Sequence, residues 1–133
     1  MRKSIGTTPV MMTAVGALLD EAVIAALAND LSEDLMPTLV ATFIEEAEQR
    51  IGAIEQAVVA GDVRLAGEEA HALKGGAATF GAHALRETAF AIEEAGRACA
   101  VDAVRDQLEA LRSHGSLTIA ALRERYLDTT NRG

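Results

Sequence analysis

One stretch of this 133-residue chain brings together residue types that could do chemistry: Ala70-His71-Ala72-Leu73-Lys74-Gly75-Gly76-Ala77-Ala78-Thr79-Phe80-Gly81-Ala82-His83-Ala84-Leu85. On a helix, residues three and four apart lie one turn away on the same face. His71, Lys74 and Gly75 therefore share a patch: an imidazole nucleophile, a fixed positive charge and bare backbone beside it. That set suits a histidine that takes a phosphoryl group from another protein. Such a histidine must be exposed, because its donor and its recipient are separate molecules. It must keep one ring nitrogen unprotonated for attack, as an ordinary imidazole does at neutral pH. It also needs positive charge for the phosphoryl oxygens and clearance on its face of the helix. Lys74 offers the charge. Gly75 offers the clearance at a helix-propensity cost of about 1 kcal/mol relative to alanine, and Gly76 adds a similar cost. Two adjacent glycines inside a helix need a reason, and close approach of another backbone is one. For the second ring nitrogen the sequence offers Glu68, one turn earlier, or water.

The elements that must position this patch are helical. Two prolines, Pro9 and Pro37, leave nearly all of the chain free to be helical, and no apolar-polar alternation argues for strands. The spacing predicts a short helix over 14–28 with Leu18, Val23, Ile24 and Leu27 as its apolar positions, then a turn over 29–33. Asp34 can cap a long second helix over 35–60, with Pro37 tolerated in its first turn. Leu35, Leu39, Phe43, Ala47, Ile51, Ile54 and Val58 form one buried stripe there, with Val40 and Ile44 off it. Gly61 stops that helix and Asp62 caps a third over 63–80, whose core side is Leu65, Ala66, Ala70, Leu73 and Ala77. At ~100° per residue, His71 lies roughly 200° from Leu73 and points away from the core. Gly81 ends the third helix, and a fourth over 83–97 turns Leu85, Ala89 and Ile92 inward. A fifth begins near Val101 or Asp102, with Val104, Leu108, Leu111, Ile119, Leu122 and Tyr126 on its inner side and a kink or break expected at Ser113-His114-Gly115-Ser116. The expected fold is all-α: an up-down-up-down four-helix bundle with an additional N-terminal helix. Residues 1–13 read as a flexible leader, 14–127 as the bundle domain with its core motif over 62–97, and 128–133 as a frayed tail.

The length suits one domain with a real core. A net charge of −8 repels the phosphate backbone of nucleic acid and sets the chain against an anionic membrane surface. Cys99, the only cysteine, can form no intrachain disulfide, which fits a reducing cytoplasm; it reads as a small apolar filler near a helix end. Arg2 and Lys3 ahead of the apolar run Val10–Leu19 imitate a signal peptide. Asp20 and Glu21 interrupt that run, however, and helical spacing continues through Leu27, while no uncharged stretch reaches ~18 residues. His83 has no acidic or cysteine partner at metal spacing, and His114 sits by Gly115 in an expected irregular stretch; both read as surface residues. Ser113 and Ser116 beside His114 make no nucleophile triad, because no orienting group or oxyanion site can be placed.

Taken singly, an exposed histidine, a lysine three residues on and a Gly-Gly pair are ordinary surface and packing features. Their joint occurrence, with Gly81-Ala82 and Leu85 in register after them, is specific. The stretch resembles the phospho-accepting motif of histidine phosphotransfer (HPt) domains: Ala-His-x-Leu-Lys-Gly, two small residues, three variable ones, then Gly-Ala-x-x-Leu. The match runs through Ala70, His71, Leu73, Lys74, Gly75, Gly76, Ala77, Gly81, Ala82 and Leu85. It extends to the Phe43 helix, the Gly61-Asp62 turn and Ile92-Glu93, so that it covers residues 30–112.

The resemblance implies that His71 takes the phosphoryl group on Nε2, that Lys74 helps neutralise it and that Gly75 leaves room for the partner. It implies receiver domains of response regulators and hybrid histidine kinases as partners. It implies no cofactor in this chain, the Mg²⁺ belonging to the partner receiver. None of the chain's carboxylates forms a metal-binding motif. Transfer could run either way, since phosphohistidine and acyl phosphate are both high-energy species. Such a protein is a covalent carrier and not an independent enzyme, and the chain has no Gly-rich ATP-binding segment with which to phosphorylate itself. For docking, Val40, Ile44 and Ala78 could make a small apolar patch around the histidine, rimmed by polar groups, with Arg64, Gly67 and Glu68 on the turns before it. The alternative is that Val40 and Ile44 meet the N-terminal helix. The expected state is a cytoplasmic monomer. The competing function is a non-catalytic helical adaptor that docks receivers without transfer; it has no use for the His71-Lys74-Gly75 set. A small hydrolase or metal protein lacks clustered ligands. A fragment of a larger kinase is weighed against, weakly, by the starting Met and the frayed-looking ends.

Overall fold

A computed structural model describes residues 18–32 and 34–127 of the chain. Six helices follow one another among them: α1 (Glu21–Asp30), α2 (Leu35–Val59), α3 (Val63–Thr79), α4 (His83–Arg97), α5 (Val101–Asp106) and α6 (Leu108–Tyr126). No strand occurs among the described residues. The expected leader over 1–13, the start of the first helix and the tail over 128–133 lie outside them.

The turns are built from residues suited to them. After α2, Gly61 takes φ +80°, a left-handed conformation that costs an L side chain about 1 kcal/mol or more. Asp62 N–H then donates back to Ala57 O at 2.8 Å, and the Asp62 carboxylate accepts from Leu65 N–H at 3.1 Å to cap α3. The α3–α4 turn repeats the device, with Gly81 at φ +65° and Ala82 N–H donating to Ala77 O at 2.9 Å. Turns this short make successive helices antiparallel. α2 packs on α3, α3 on α4, α4 on α6 and α6 back on α2, so the four long helices close an up-down-up-down ring.

α1 lies against one end of this ring. Asp20 caps it by accepting from Ala22 and Val23 N–H at 3.0 and 3.4 Å. The Asp20 N–H donates to Gly81 O at 2.8 Å, and its carboxylate meets His83 Nε2 at 2.9 Å. Both terminal guanidinium nitrogens of Arg125 on α6 reach the Glu21 carboxylate at 2.7 Å. His83 is thus an exposed residue with a structural partner.

The apolar face of α2 is broader than one stripe and rotated from the expected one. Leu35 is exposed and Leu39 and Ile51 are only partly covered, whereas Met36, Val40, Phe43, Ile44, Ala47, Ile54, Ala57 and Val58 are buried. The helix has α3 on one flank and α6 on the other, so a wider arc than a single stripe is covered. Leu65, expected inward, is exposed because the buried line of α3 runs Val63, Ala66, Ala70, Leu73, Ala77 and leaves it on the flank. Asp34 makes no side-chain cap: its backbone is already helical, and Leu35 N–H bonds to Ser32 O instead.

The break in the last helical segment falls at Gln107, between α5 and α6, and not at Ser113–Ser116, which run inside α6. Gly115 is there for contact: a Cβ on it would sit 2.6 Å from Ile51 Cδ1 of α2. His114 is partly covered, with Nδ1 2.8 Å from Thr88 Oγ1 of α4, and so joins two helices. Cys99 is exposed at φ +56° in the turn after α4 and fills no core space. No described helix is long and apolar enough to cross a membrane.

Candidate functional site

The site is made where α3 and α4 come closest. A Cβ on Gly96 would lie 2.5 Å from Val63 O and 2.9 Å from Gly67 Cα, so only glycine at 96 permits this approach. Glu93, one turn before Gly96 on the inner side of α4, is thereby carried under His71. Its side chain is only 6% exposed, against 67% for His71. Glu93 Oε2 lies 2.7 Å from His71 Nδ1. Lys74 Nζ forms an ion pair with Glu93 Oε1 at 2.7 Å. Arg97 completes the set, donating to Glu93 Oε2 and to Glu94 Oε2, each at 2.9 Å.

The Lys74 ammonium holds the Glu93 carboxyl below its ordinary value of 4.5, against burial, which pushes it up; the His71 contact adds a smaller pull in the same direction as Lys74. Glu93 is therefore ionised at neutral pH and can only accept. Nδ1 of His71 must be the donor in their contact, which leaves Nε2 as the nitrogen with a free lone pair on an exposed ring. Such a pinned imidazole is a nucleophile with a fixed tautomer. Beside it an open cleft of about 410 Å³ is lined by Arg64, Gly67, Glu68, His71, Glu93 and Arg97.

The two adjacent glycines have different reasons. A Cβ on Gly76 would meet the Phe43 ring at 2.9 Å, a ring packed against Phe80 at a 38° tilt with centroids 4.9 Å apart. Gly76 is an internal packing position. A Cβ on Gly75 would meet nothing within 4 Å, so no part of the described chain asks for glycine there. The space lies beside His71 and Lys74 and is open.

The structure brings His71, Lys74 and Gly75 onto one face, with Arg64, Glu68 and Ala78 exposed along it. Gly67 belongs to the helix crossing and is buried, so it presents at most the floor of the cleft. Val40 and Ile44 are 0% and 4% exposed and offer no docking patch; they share one core cluster with Leu19 and Ile24. Glu68 is not the partner of the second ring nitrogen; Glu93 is, because the close crossing supplies a carboxylate from the neighbouring helix. Among the described residues no group of three or more potential ligands could hold a metal ion.

Sequence reasoning missed Glu93, Arg97 and Phe90 as parts of this face. A signal for Glu93 existed. It stands four residues after Ala89 and three before Gly96, both on the buried line of α4, and a carboxylate in such a line needs partners. Phe90 carries the converse signal, an aromatic ring three and four residues from Glu87, Arg86 and Glu94 on the wet side.

A family model described as the Hpt domain matches residues 38–124. Among solved structures the chain is similar to histidine-containing phosphotransfer protein B (HptB) from Pseudomonas aeruginosa PAO1, with 27% sequence identity, a TM-score of 0.78, and coverage of 82% of this chain and 94% of that one. No curated protein sequence matches it.

Proposed function

The chain belongs to the Hpt domain family, whose members act as phosphocarriers in phosphorelays, and from that premise we propose that His71 is its phospho-acceptor, taking the group from a receiver-domain aspartate and passing it to another receiver. One observation carries this assignment: His71 is exposed on a ring whose Nδ1 is held at 2.7 Å by a buried carboxylate.

In the loading step the Nε2 lone pair attacks the phosphorus of the aspartyl phosphate, forming the N–P bond. The bond from phosphorus to the aspartyl oxygen breaks, and the receiver carboxylate leaves with that electron pair. Nδ1 keeps its proton throughout, and Glu93 stabilises the positive charge that develops on the ring. In the unloading step a carboxylate of the next receiver attacks, and the N–P pair returns to Nε2. Lys74 and Arg97, both paired to Glu93, would share their charge between it and the phosphoryl oxygens. Gly75 leaves the space a receiver backbone would occupy. The divalent cation belongs to the receiver. We read the chain as a monomeric cytoplasmic carrier that neither binds ATP nor turns over alone.

The test is incubation of the native chain and His71→Gln with a panel of phosphorylated receivers, followed by a search for acid-labile, alkali-stable phosphate on this chain. Label on the native chain and none on His71→Gln is expected. No label from any receiver on a folded bundle would overturn the carrier reading in favour of a non-catalytic adaptor.

A further inference from the structure

The chain has three phenylalanines. Phe43 and Phe80 are buried against each other. The third, Phe90, is 49% exposed and stands on α4 among exposed charged residues, Arg86, Glu87, Glu94 and Arg97. Its ring centroid lies 5.1 Å from Lys74 Nζ, and Lys74 is itself paired to the carboxylate that holds His71. Two side chains, Lys74 and Glu93, therefore link the ring to the nucleophile. Phe90, Lys74, Arg86 and Glu87 line a shallow hollow. Ala78, one turn beyond Lys74, is exposed as well.

Any molecule that delivers a phosphoryl group to His71 must cover this face, so the hollow is continuous with that contact. A large, stiff ring gives up little conformational freedom when covered, which is why aromatic residues dominate interface energetics. We propose that Phe90 is the apolar anchor by which a receiver domain docks beside His71, setting receiver affinity and choice, while His71 and Lys74 set the chemistry. The complementary receiver carries an apolar seat for the ring next to its acidic phosphorylation site, which meets Lys74 and Arg86. The inference rests on the reading above that receivers engage this face.

The experiment measures the initial rate of His71 labelling against receiver-phosphate concentration for the native chain, Phe90→Ala and Phe90→Leu. Phe90→Ala is expected to raise the half-saturating concentration at least about tenfold, with the change in that concentration and not in the saturating rate. Phe90→Leu recovers most of the loss, because apolar area is what the seat requires. If Phe90→Ala fails to fold, Phe90→Leu and Phe90→Gln carry the same comparison. A half-saturating concentration within about twofold of native overturns the anchor. So does a fall confined to the saturating rate, which would place the ring's action on Lys74. So does a native dimer that Phe90→Ala dissociates, which would make the ring a self-contact. Calorimetric binding of receivers to His71→Gln with and without Phe90→Ala separates the two readings. Phe90-dependent binding by receivers that put no label on the native chain refutes the carrier and keeps the anchor. Labelling with Phe90-independent binding refutes the anchor and keeps the carrier.

Discussion

Gly75 and Gly76 are neighbours on α3, yet alanine at the two positions is expected to act in opposite directions. Both lie inside the helix, so each substitution gains up to about 1 kcal/mol of helix propensity. At Gly75 the added methyl meets nothing within 4 Å, and the gain stands. With an unfolding entropy of roughly 2.1 cal/mol/K per residue, a chain of 133 residues gains about 2–4 °C in Tm from 0.5–1 kcal/mol. At Gly76 the methyl would sit 2.9 and 3.0 Å from two carbons of the Phe43 ring, which is buried against Phe80 and cannot swing aside freely. Overpacking of this kind costs about 1–3 kcal/mol. The propensity gain is common to both variants and cancels in their difference. Gly75→Ala is therefore expected to melt above Gly76→Ala by roughly 4–11 °C. Transfer is expected to run the other way. Gly75→Ala blocks the receiver's approach and slows labelling of His71 at least about tenfold, while a folded Gly76→Ala keeps most of its rate. Thermal melts and a phosphotransfer time course decide it. A Gly75→Ala that melts below native, or that labels at the native rate, would refute the argument that the empty space beside His71 is kept for a partner.

Three further outcomes follow from the same geometry. Because Lys74 holds the Glu93 carboxyl below 4.5, the folded chain resists its protonation; the resulting stability is fully present above that pH and is lost as pH falls through the lower folded value. In urea denaturation the stability gap between native and Glu93→Gln should narrow as pH drops below 4.5, and a gap that widens there would contradict the ion pair. Gly96→Ala would push a methyl to within 2.5 Å of the Val63 carbonyl; backbone cannot step aside as a side chain can, so a loss of about 3 kcal/mol or more is expected by calorimetry, with slower labelling as Glu93 is carried away from His71. Incubation with ATP and Mg²⁺ but no receiver should leave the intact mass unchanged.

The helical order and its turns were legible because they rest on local chemistry. Gly61-Asp62 and Gly81 stop one helix and start the next through backbone conformation and a cap, both written in adjacent residues. The chemical patch was legible for the same reason: His71, Lys74 and Gly75 are one helical turn apart. What escaped depends on neighbours distant in sequence. Val40 and Ile44 looked like spare apolar positions on α2, since periodicity counts one covering face and this helix has neighbours on two flanks. The break at Gln107 has no glycine or proline to announce it, while the Gly115 that suggested one serves contact with Ile51. Glu93 lies 22 residues from His71, and only the Gly67–Gly96 crossing sets the two side by side.

Glu93 reaches His71, Lys74 and Arg97 at once. A phosphoryl group on Nε2 would bring up to about two negative charges to the same two cations. Lys74 and Arg97 would then divide themselves between a resident anion and an arriving one, in place of closing fully on the newcomer. On the proposed carrier role the carboxylate would act as a counterweight: it would ready the imidazole for loading and, by keeping a share of the cations, weaken the grip on the loaded ring. A relay stage that gripped harder would strand its cargo. On this view the residence time of the phosphoryl group is tuned by a side chain that never meets it.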